Sequence, residues 1–282
     1  IGGEDIELIL DISPDIPTEL LGDNVRLKQI IINLSNNAVK FTQRGQVLLK
    51  MFARKKNENE IDLCVAVADT GVGIKKQDFP NLFHSFEQLD SKRNRNIEGT
   101  GLGLAISKKL LNLMYGDIQV KSEYGKGSIF SFSIPQRIVN ENPAIKVANS
   151  SNLKTAALLK NIYVKRQLKL DIERLGISYN ELHSEEDLLA LTEQNVTHIF
   201  VEHYLFSEKI EQFFLVHPKI TGVVMLDFFS EMQSNVPNLM IVKKPLYSLN
   251  LAMIFNHEDL YSGYNYSTDE DFEFIAPEAK IL

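Results

Sequence analysis

The chain has 282 residues, 44% of them hydrophobic and 24% charged, which suits two soluble globular domains with real cores. A formal net charge of −7 excludes a surface built to coat nucleic acid, while leaving room for local positive charge at a phosphate. No apolar run reaches the roughly 18 residues of a membrane span, and no secretory signal opens the chain. The single cysteine, Cys64, lies in an apolar strand pattern and reads as a buried reduced thiol, which fits a cytoplasmic setting. The opening IGGEDIELIL reads as the middle of something longer.

In chain order, Val25, Leu27, Ile30, Ile31, Leu34 and Ala38 recur at helical spacing, with Asp23 in the N-cap place. Strands follow over Gln46–Arg54 and Ile61–Ala68 with the polar turn KKNENE between them. A helix over Gly103–Met114 and strands over Asp117–Glu123 and Ser128–Pro135 complete this unit. Strands with helices on one face predict a two-layer α/β sandwich over residues 1–136. Residues 137–152, with prolines, asparagines and serines, read as a linker.

The pattern then changes. Strands at Thr155–Leu159, Ile177–Asn180, Ile199–Glu202, Gly222–Leu226 and Leu239–Val242 alternate with helices at Tyr163–Arg174, Glu185–Thr192, Leu205–His217, Phe228–Gln233 and Leu249–Phe255. Five such units predict a doubly wound (βα)5 domain over residues 153–261. Residues 262–282 read as an acidic linker and the start of a further domain.

Three motifs stand in order in the first unit. NLSNNAVKF places Asn33 and Asn37 one turn apart on a helix face, with Lys40 a turn further on. DTGVGI puts Asp69 at a strand end, followed by Gly71, Gly73 and Ile74, so that a carboxylate faces a sharp turn. GTGLGLA runs Gly99, Thr100, Gly101, Leu102 and Gly103 into a helix start, where backbone N–H groups and the helix dipole favour an anion. Between the last two, LFHSFEQLD carries Phe83 and Phe86, and Lys92, Arg93 and Arg95 make a local cationic patch.

This set resembles the ATP-binding catalytic domain of sensor histidine kinases, a branch of the Bergerat-fold ATPases, over roughly residues 5–136. The resemblance implies ATP and Mg²⁺ as ligands. Asn37 would place its amide oxygen on Mg²⁺, Asn33 would stand beside the phosphates, and Lys40 would add positive charge there. Asp69 would accept from the adenine amino group, and Gly71 and Gly73 would let the backbone approach the base. Phe83 and Phe86 would anchor a lid that offers a cation to phosphate; Arg95 is carried as that contact, with the choice among the three cations open. Ser128 would be an adenine-side polar contact. Glu98 departs from the glycine common at its position.

Branches of the fold that hydrolyse ATP carry a glutamate as general base at the place of Asn33. An asparagine cannot take that proton, so the resemblance implies phosphoryl transfer to another nucleophile. That would be a histidine on a dimerisation domain of the same protein, with a downstream receiver or phosphotransfer partner, a homodimeric parent, and no direct nucleic acid partner. A conformational-clamp ATPase and a non-catalytic nucleotide sensor are the competing readings. The second unit resembles a response-regulator receiver, with Lys244 in place. Lys160–Asn161, Glu202 and Asp227 stand where a working receiver has an acidic pair, an acceptor aspartate and a hydroxyl. The resemblance therefore implies a pseudo-receiver that cannot be phosphorylated, retained for docking or regulation. A lasting Glu202–Lys244 ion pair is the sharper expectation.

Overall fold

A computed structural model describes residues 5–84 and 102–258. Two sheets organise it. The first has six strands: β1 (Asp5–Ile12), β2 (Pro17–Leu21), β3 (Arg44–Lys55), β4 (Glu60–Asp69), β5 (Asp117–Glu123) and β6 (Gly127–Pro143). They run β1-β3-β4-β6-β2, with β5 also paired to β6. Helices α1 (Asn24–Phe41) and α2 (Gly103–Leu113) pack together and on this sheet. The second sheet holds β7 (Lys154–Leu158), β8 (Ser178–Leu182), β9 (His198–Glu202), β10 (Thr221–Leu226) and β11 (Leu239–Lys243), in the order β8-β7-β9-β10-β11. Every pairing in it is parallel. Its helices are α3 (Ile162–Arg174), α4 (Glu185–Leu189), α5 (Glu208–Val216) and α6 (Ser248–Phe255). No helix among the described residues is long and apolar enough to cross a membrane.

Local rules explain most of these elements. The Asp23 carboxylate accepts from the Arg26 N–H and starts α1, a cap worth about 1 kcal/mol. Ile30, Leu34 and Ala38 share the buried face, and full burial of Ile30 or Leu34 contributes ~1.5–3 kcal/mol each. Val25, although in phase with them in sequence, is exposed, because it lies in the first turn before the helix meets the sheet. Along β4, Ile61, Leu63, Val65 and Val67 alternate into the core under α1. Cys64 is buried and free, and burial pushes its thiol above the ordinary range.

Two expectations need correction, and the strands β1 and β2 stand ahead of the first expected helix. Residues 137–143 continue β6 rather than opening a linker, and pair antiparallel with β2, which satisfies the backbone of an asparagine-rich stretch. No helix forms over 228–233. Asp227 is drawn to Lys244, the Lys243 Nζ donates to the Phe228 carbonyl, and the chain runs on irregularly to β11. The second domain is thus a doubly wound five-stranded sheet with four helices.

The two domains share a continuous interface. Glu7, Ile9 and Asp11 alternate on one face of β1 and turn to the second domain. Ile9 joins the apolar cluster of Leu168, Ile172 and Leu251. Asp11 bonds to Lys50, opposite it on β3, and to Arg174 at the end of α3. The Ser248 hydroxyl at the start of α6 donates to the Ile12 carbonyl.

Candidate functional site

Asp69 ends β4, between Val47 of β3 and Ser128 of β6 in register. Its Oδ1 accepts from the N–H of Gly71 at 2.9 Å and of Ser128 at 3.2 Å. Burial raises its pKa above the ordinary carboxylate value, and those hydrogen bonds partly offset the rise. The carboxylate is thus fixed in direction while half-buried, which suits it to select a donor.

The loop after Asp69 is held on three sides, twice by backbone and once by a side chain. The Val72 N–H donates to the Phe41 carbonyl at the end of α1, and the Val72 carbonyl accepts from Gly125. The Ile74 N–H donates to the Ser122 hydroxyl, which itself donates to the Gly127 carbonyl and lies 3.1 Å from the Ser128 hydroxyl. A methyl at Gly71 would stand 2.1 Å from the Phe41 carbonyl oxygen. Gly73 has a φ of +66°, and a methyl there would stand 2.1 Å from the Glu123 carbonyl oxygen. Glycine is therefore required at 73 on both grounds.

Across α1, Asn33 donates from Nδ2 to the Ser107 hydroxyl at 2.7 Å. Gly103, the first residue of α2, lies so close that a Cβ would stand 2.2 Å from Asn33 Oδ1. Asn33 therefore faces the N-terminus of α2, whose first N–H groups have no partner within the helix. Asn37 follows one turn on along α1, and both side chains are half-buried. The Lys40 ammonium lies 5.5 Å from the Phe41 ring centroid. Phe83 packs against the core, with the Lys108 ammonium 5.0 Å from its ring centroid, and Leu102 is half-buried ahead of α2.

The motifs thus converge from α1, the β4 end, the β5–β6 turn and the α2 start. Phe86, Arg95, Gly99, Thr100 and Gly101 lie outside the described residues. Sequence reasoning missed Ser107, Ser122 and Thr70. Ser107 was open to detection, because it stands one turn after Gly103 on the same helix face. Ser122 and Thr70 act across the sheet, and no local spacing announces them.

A second polar cluster lies at the carboxyl ends of β9, β10 and β11. The Lys244 ammonium meets Asp227 at 2.6 Å, Glu7 at 3.2 Å and Glu202 at 3.8 Å. Glu202, 1% exposed, accepts on Oε2 from the N–H groups of Lys160 and Asn161 and from the Tyr204 hydroxyl. Its Oε1 has no hydrogen-bond partner. The Glu202–Lys244 pair expected from sequence exists only as the longest of three contacts. The tightest is to Asp227, and one of the others reaches into the first domain.

Residues 22–138 match a family model described as histidine kinase-, DNA gyrase B-, and HSP90-like ATPase. The chain is 43% identical over 135 residues to hybrid signal transduction histidine kinase B of Dictyostelium discoideum, a stretch that is 48% of this chain and 7% of that protein. It is 41% identical over 145 residues to the signal transduction histidine-protein kinase BarA of Shigella flexneri, covering 50% of this chain and 16% of the relative. With the sensor histidine kinase GacS of Pseudomonas protegens the identity is 35% over 184 residues, covering 65% and 20%. The chain therefore spans a fifth or less of these relatives. Among solved structures, full-length ShkA in complex with AMPPNP is similar over 88% of this chain and 50% of that one, with a TM-score of 0.62 and 26% identity.

Proposed function

We propose, because residues 22–138 match the histidine kinase-, DNA gyrase B-, and HSP90-like ATPase family model, that this chain is the ATP-binding catalytic part of a hybrid sensor histidine kinase in two-component phosphorelay signalling. It binds ATP between α1 and the start of α2 and offers the γ-phosphate to a histidine on a dimerisation domain of the same protein. The parent is then a homodimer that acts in the cytoplasm and passes its phosphoryl group to a downstream receiver or phosphotransfer partner.

The observation that carries the reading is the half-buried Asp69 carboxylate, aimed by the Gly71 and Ser128 N–H groups. Adenine presents an amino donor to such an acceptor, whereas guanine presents a carbonyl oxygen at the same place. The Ser128 and Gly71 backbone lies beside the base, with Gly73 and Ile74 completing the loop. At the other end, the α2 N-terminus with Gly103 and Leu102 receives phosphate.

Asn37 fits a divalent cation through its amide oxygen, the hard donor that Mg²⁺ prefers. Among the described residues no group of three His, Cys, Asp or Glu side chains is arranged for a metal. A cation held by Asn37 would leave its remaining positions to oxygen donors such as phosphate and water, which Mg²⁺ prefers beside a nucleotide. When bound, Mg²⁺ neutralises charge on the phosphates, and Lys40 adds to this from α1. Asn33 spends its amide N–H on Ser107 and has no basic atom to activate water. That supports transfer to an imidazole over hydrolysis.

The second domain fits a receiver that has lost its phosphorylation chemistry. The order β8-β7-β9-β10-β11 is the doubly wound 2-1-3-4-5 arrangement. At the end of its central strand stands Glu202, whose Oε2 already accepts three hydrogen bonds.

The decisive experiment is a Mg-ATP titration of the chain and of Asp69→Asn. Asparagine can keep both backbone bonds on its oxygen, while its other terminal atom changes from acceptor to donor. Loss of one hydrogen bond to a charged group weakens binding about 10- to 100-fold. Unchanged affinity for ATP, or equal displacement of bound ATP by GTP, refutes the assignment.

A further inference from the structure

Glu7 belongs to the first domain, yet its carboxylate is gripped by the second. Its Oε2 accepts from the Asn161 amide at 2.7 Å and from the Lys244 ammonium at 3.2 Å. Asn161 is also the N-cap of α3, accepting from Tyr163 and Val164, so its side chain is fixed before it meets Glu7. Lys244 gathers three carboxylates, Glu7, Glu202 and Asp227, around one positive charge. Without that charge, three like charges would face each other across the domain boundary, with Glu202 fully buried. The lysine therefore supplies the compensating charge at this end of the boundary, beside the shorter Asn161–Glu7 hydrogen bond. The other end is held by Asp11 between Lys50 and Arg174.

From Glu7 the path to the nucleotide loop is short. Glu7 lies opposite Gln46 in the parallel β1–β3 register. The Gln46 N–H donates to the Thr70 hydroxyl at 3.0 Å, and the Thr70 N–H donates to the Gln46 carbonyl at 3.2 Å. Thr70 immediately follows Asp69. The neighbouring Gly45 has a φ of +121°, and a methyl there would stand 2.2 Å from Thr70 Oγ1, so the chains touch without slack.

We propose that the second domain sets the position of the adenine-side loop through an ionic latch, with Lys244 and Asn161 holding Glu7 and the β1–β3 ladder transmitting that hold to Thr70. The inference rests on the nucleotide reading given above. The two alternatives of the device are the latched boundary and the opened one, and a ligand that binds better in one must in turn favour it. Asp227, His203 and Tyr204 complete the polar surround of the latch: His203 lies 3.8 Å from Asp227, and Tyr204 donates to Glu202.

The test uses the whole chain with Lys244→Met and Glu7→Lys. The first removes the shared cation. The second sets two lysines against each other while leaving Lys244 and Asp227 intact, so it serves where the first does not fold. Amide exchange at Gln46 and Thr70 is read without nucleotide, and Mg-ATP affinity is read beside it. Faster exchange at both amides in either variant is expected, with affinity lowered about fivefold or more. Adding Glu7→Gln to Lys244→Met is expected to restore part of both, because it relieves the repulsion. Exchange and affinity within about twofold of the parent chain in both variants overturn the proposal. So does an opened boundary that leaves Thr70 exchange unchanged. Should the unaltered chain bind no nucleotide, the functional reading fails, and the exchange measurement alone decides the latch.

Discussion

Asp171 offers a sharp test of the energetics of the domain boundary. It lies on the inner face of α3, 0% exposed, accepting from the Gln167 amide on one oxygen and leaving the other without a hydrogen-bond partner. Burial drives its pKa up; the Gln167 bond opposes this, the nearby Asp11 charge adds to it, and Arg174 opposes it, with the result at about 7 against an ordinary 3.8. Because the folded-state value is the higher one, the folded chain keeps the proton where the unfolded chain has lost it. The site's contribution to stability is greatest below pH 3.8 and is lost as the pH rises toward 7. At about 1.36 kcal/mol per pH unit, the full penalty above pH 7 is ~4 kcal/mol.

Asp171→Asn keeps an acceptor for Gln167 and cannot ionise. Chemical denaturation of both proteins at several pH values between about 5 and 8 isolates the effect, since other titrations cancel in the difference. The variant should gain on the parent steadily with pH, by about 2 kcal/mol between pH 5.5 and 8, and the gain should level off past pH 7. A difference that stays flat across that range refutes the reasoning, because it means that the folded carboxyl titrates like the unfolded one.

Two further outcomes follow from the geometry of the loop and the nature of the site. Gly73 and Gly125 both have positive φ, but a methyl at 73 strikes the Glu123 carbonyl while one at 125 meets nothing within 4 Å. Gly73→Ala should therefore cost well over ~2 kcal/mol and abolish nucleotide binding, against about 1–2 kcal/mol for Gly125→Ala; equal thermal shifts would show that the contact yields. Incubated with γ-labelled ATP, the chain alone should acquire negligible label, because none of its six histidines stands in a phosphoacceptor-like sequence; strong label on any of them contradicts the assignment of the acceptor to another domain.

The features legible in sequence are those whose cause is local. Asp23 caps α1 because a short acceptor stands just before an apolar 3-to-4 repeat, and that pattern is written in consecutive residues. Asp69 is legible because a strand of alternating valines stops at a carboxylate followed by glycines. The (βα) pattern of the second domain is legible for the same reason, and the structure adds a Ser184–Asp187 capping box at the start of α4. The missing helix over 228–233 had the right length and two phenylalanines, yet both rings are exposed and no buried face exists for a helix to cover. Apolar content without a phase gave a false signal there.

The strand β1 shows why the domain boundary stayed hidden. A strand exposed on one face alternates apolar and polar residues, and DIELILDI approximates this: Ile6, Leu8 and Ile12 meet the first core, while Glu7 and Asp11 read as solvent-facing. In the structure those acidic residues face protein, and their partners in the second domain, Asn161, Arg174 and Lys244, lie 154 residues or more away in sequence. Two acids spaced four apart on a strand edge carry the same letters whether they meet water or a partner. What distinguishes the cases is the residue between them: Ile9 is buried among Leu168, Ile172 and Leu251, on the very face its charged neighbours occupy. A buried isoleucine flanked on one face by two acids implies that the acids are paired too, since burial without pairing would cost more than the isoleucine contributes. For Asp11 the pairing is strong enough to win: burial raises its pKa, yet the hydrogen bonds and charges of Lys50 and Arg174 bring it below the ordinary carboxylate value. For Glu7 burial prevails over Lys244, and its pKa is raised. The two ends of the boundary therefore respond oppositely to acid. The Asp11 end weakens once falling pH protonates a carboxylate that its cations hold ionised. The Glu7 end behaves the other way: its pKa is raised by burial, so protonation favours the buried state there, and that contribution is lost as the pH rises.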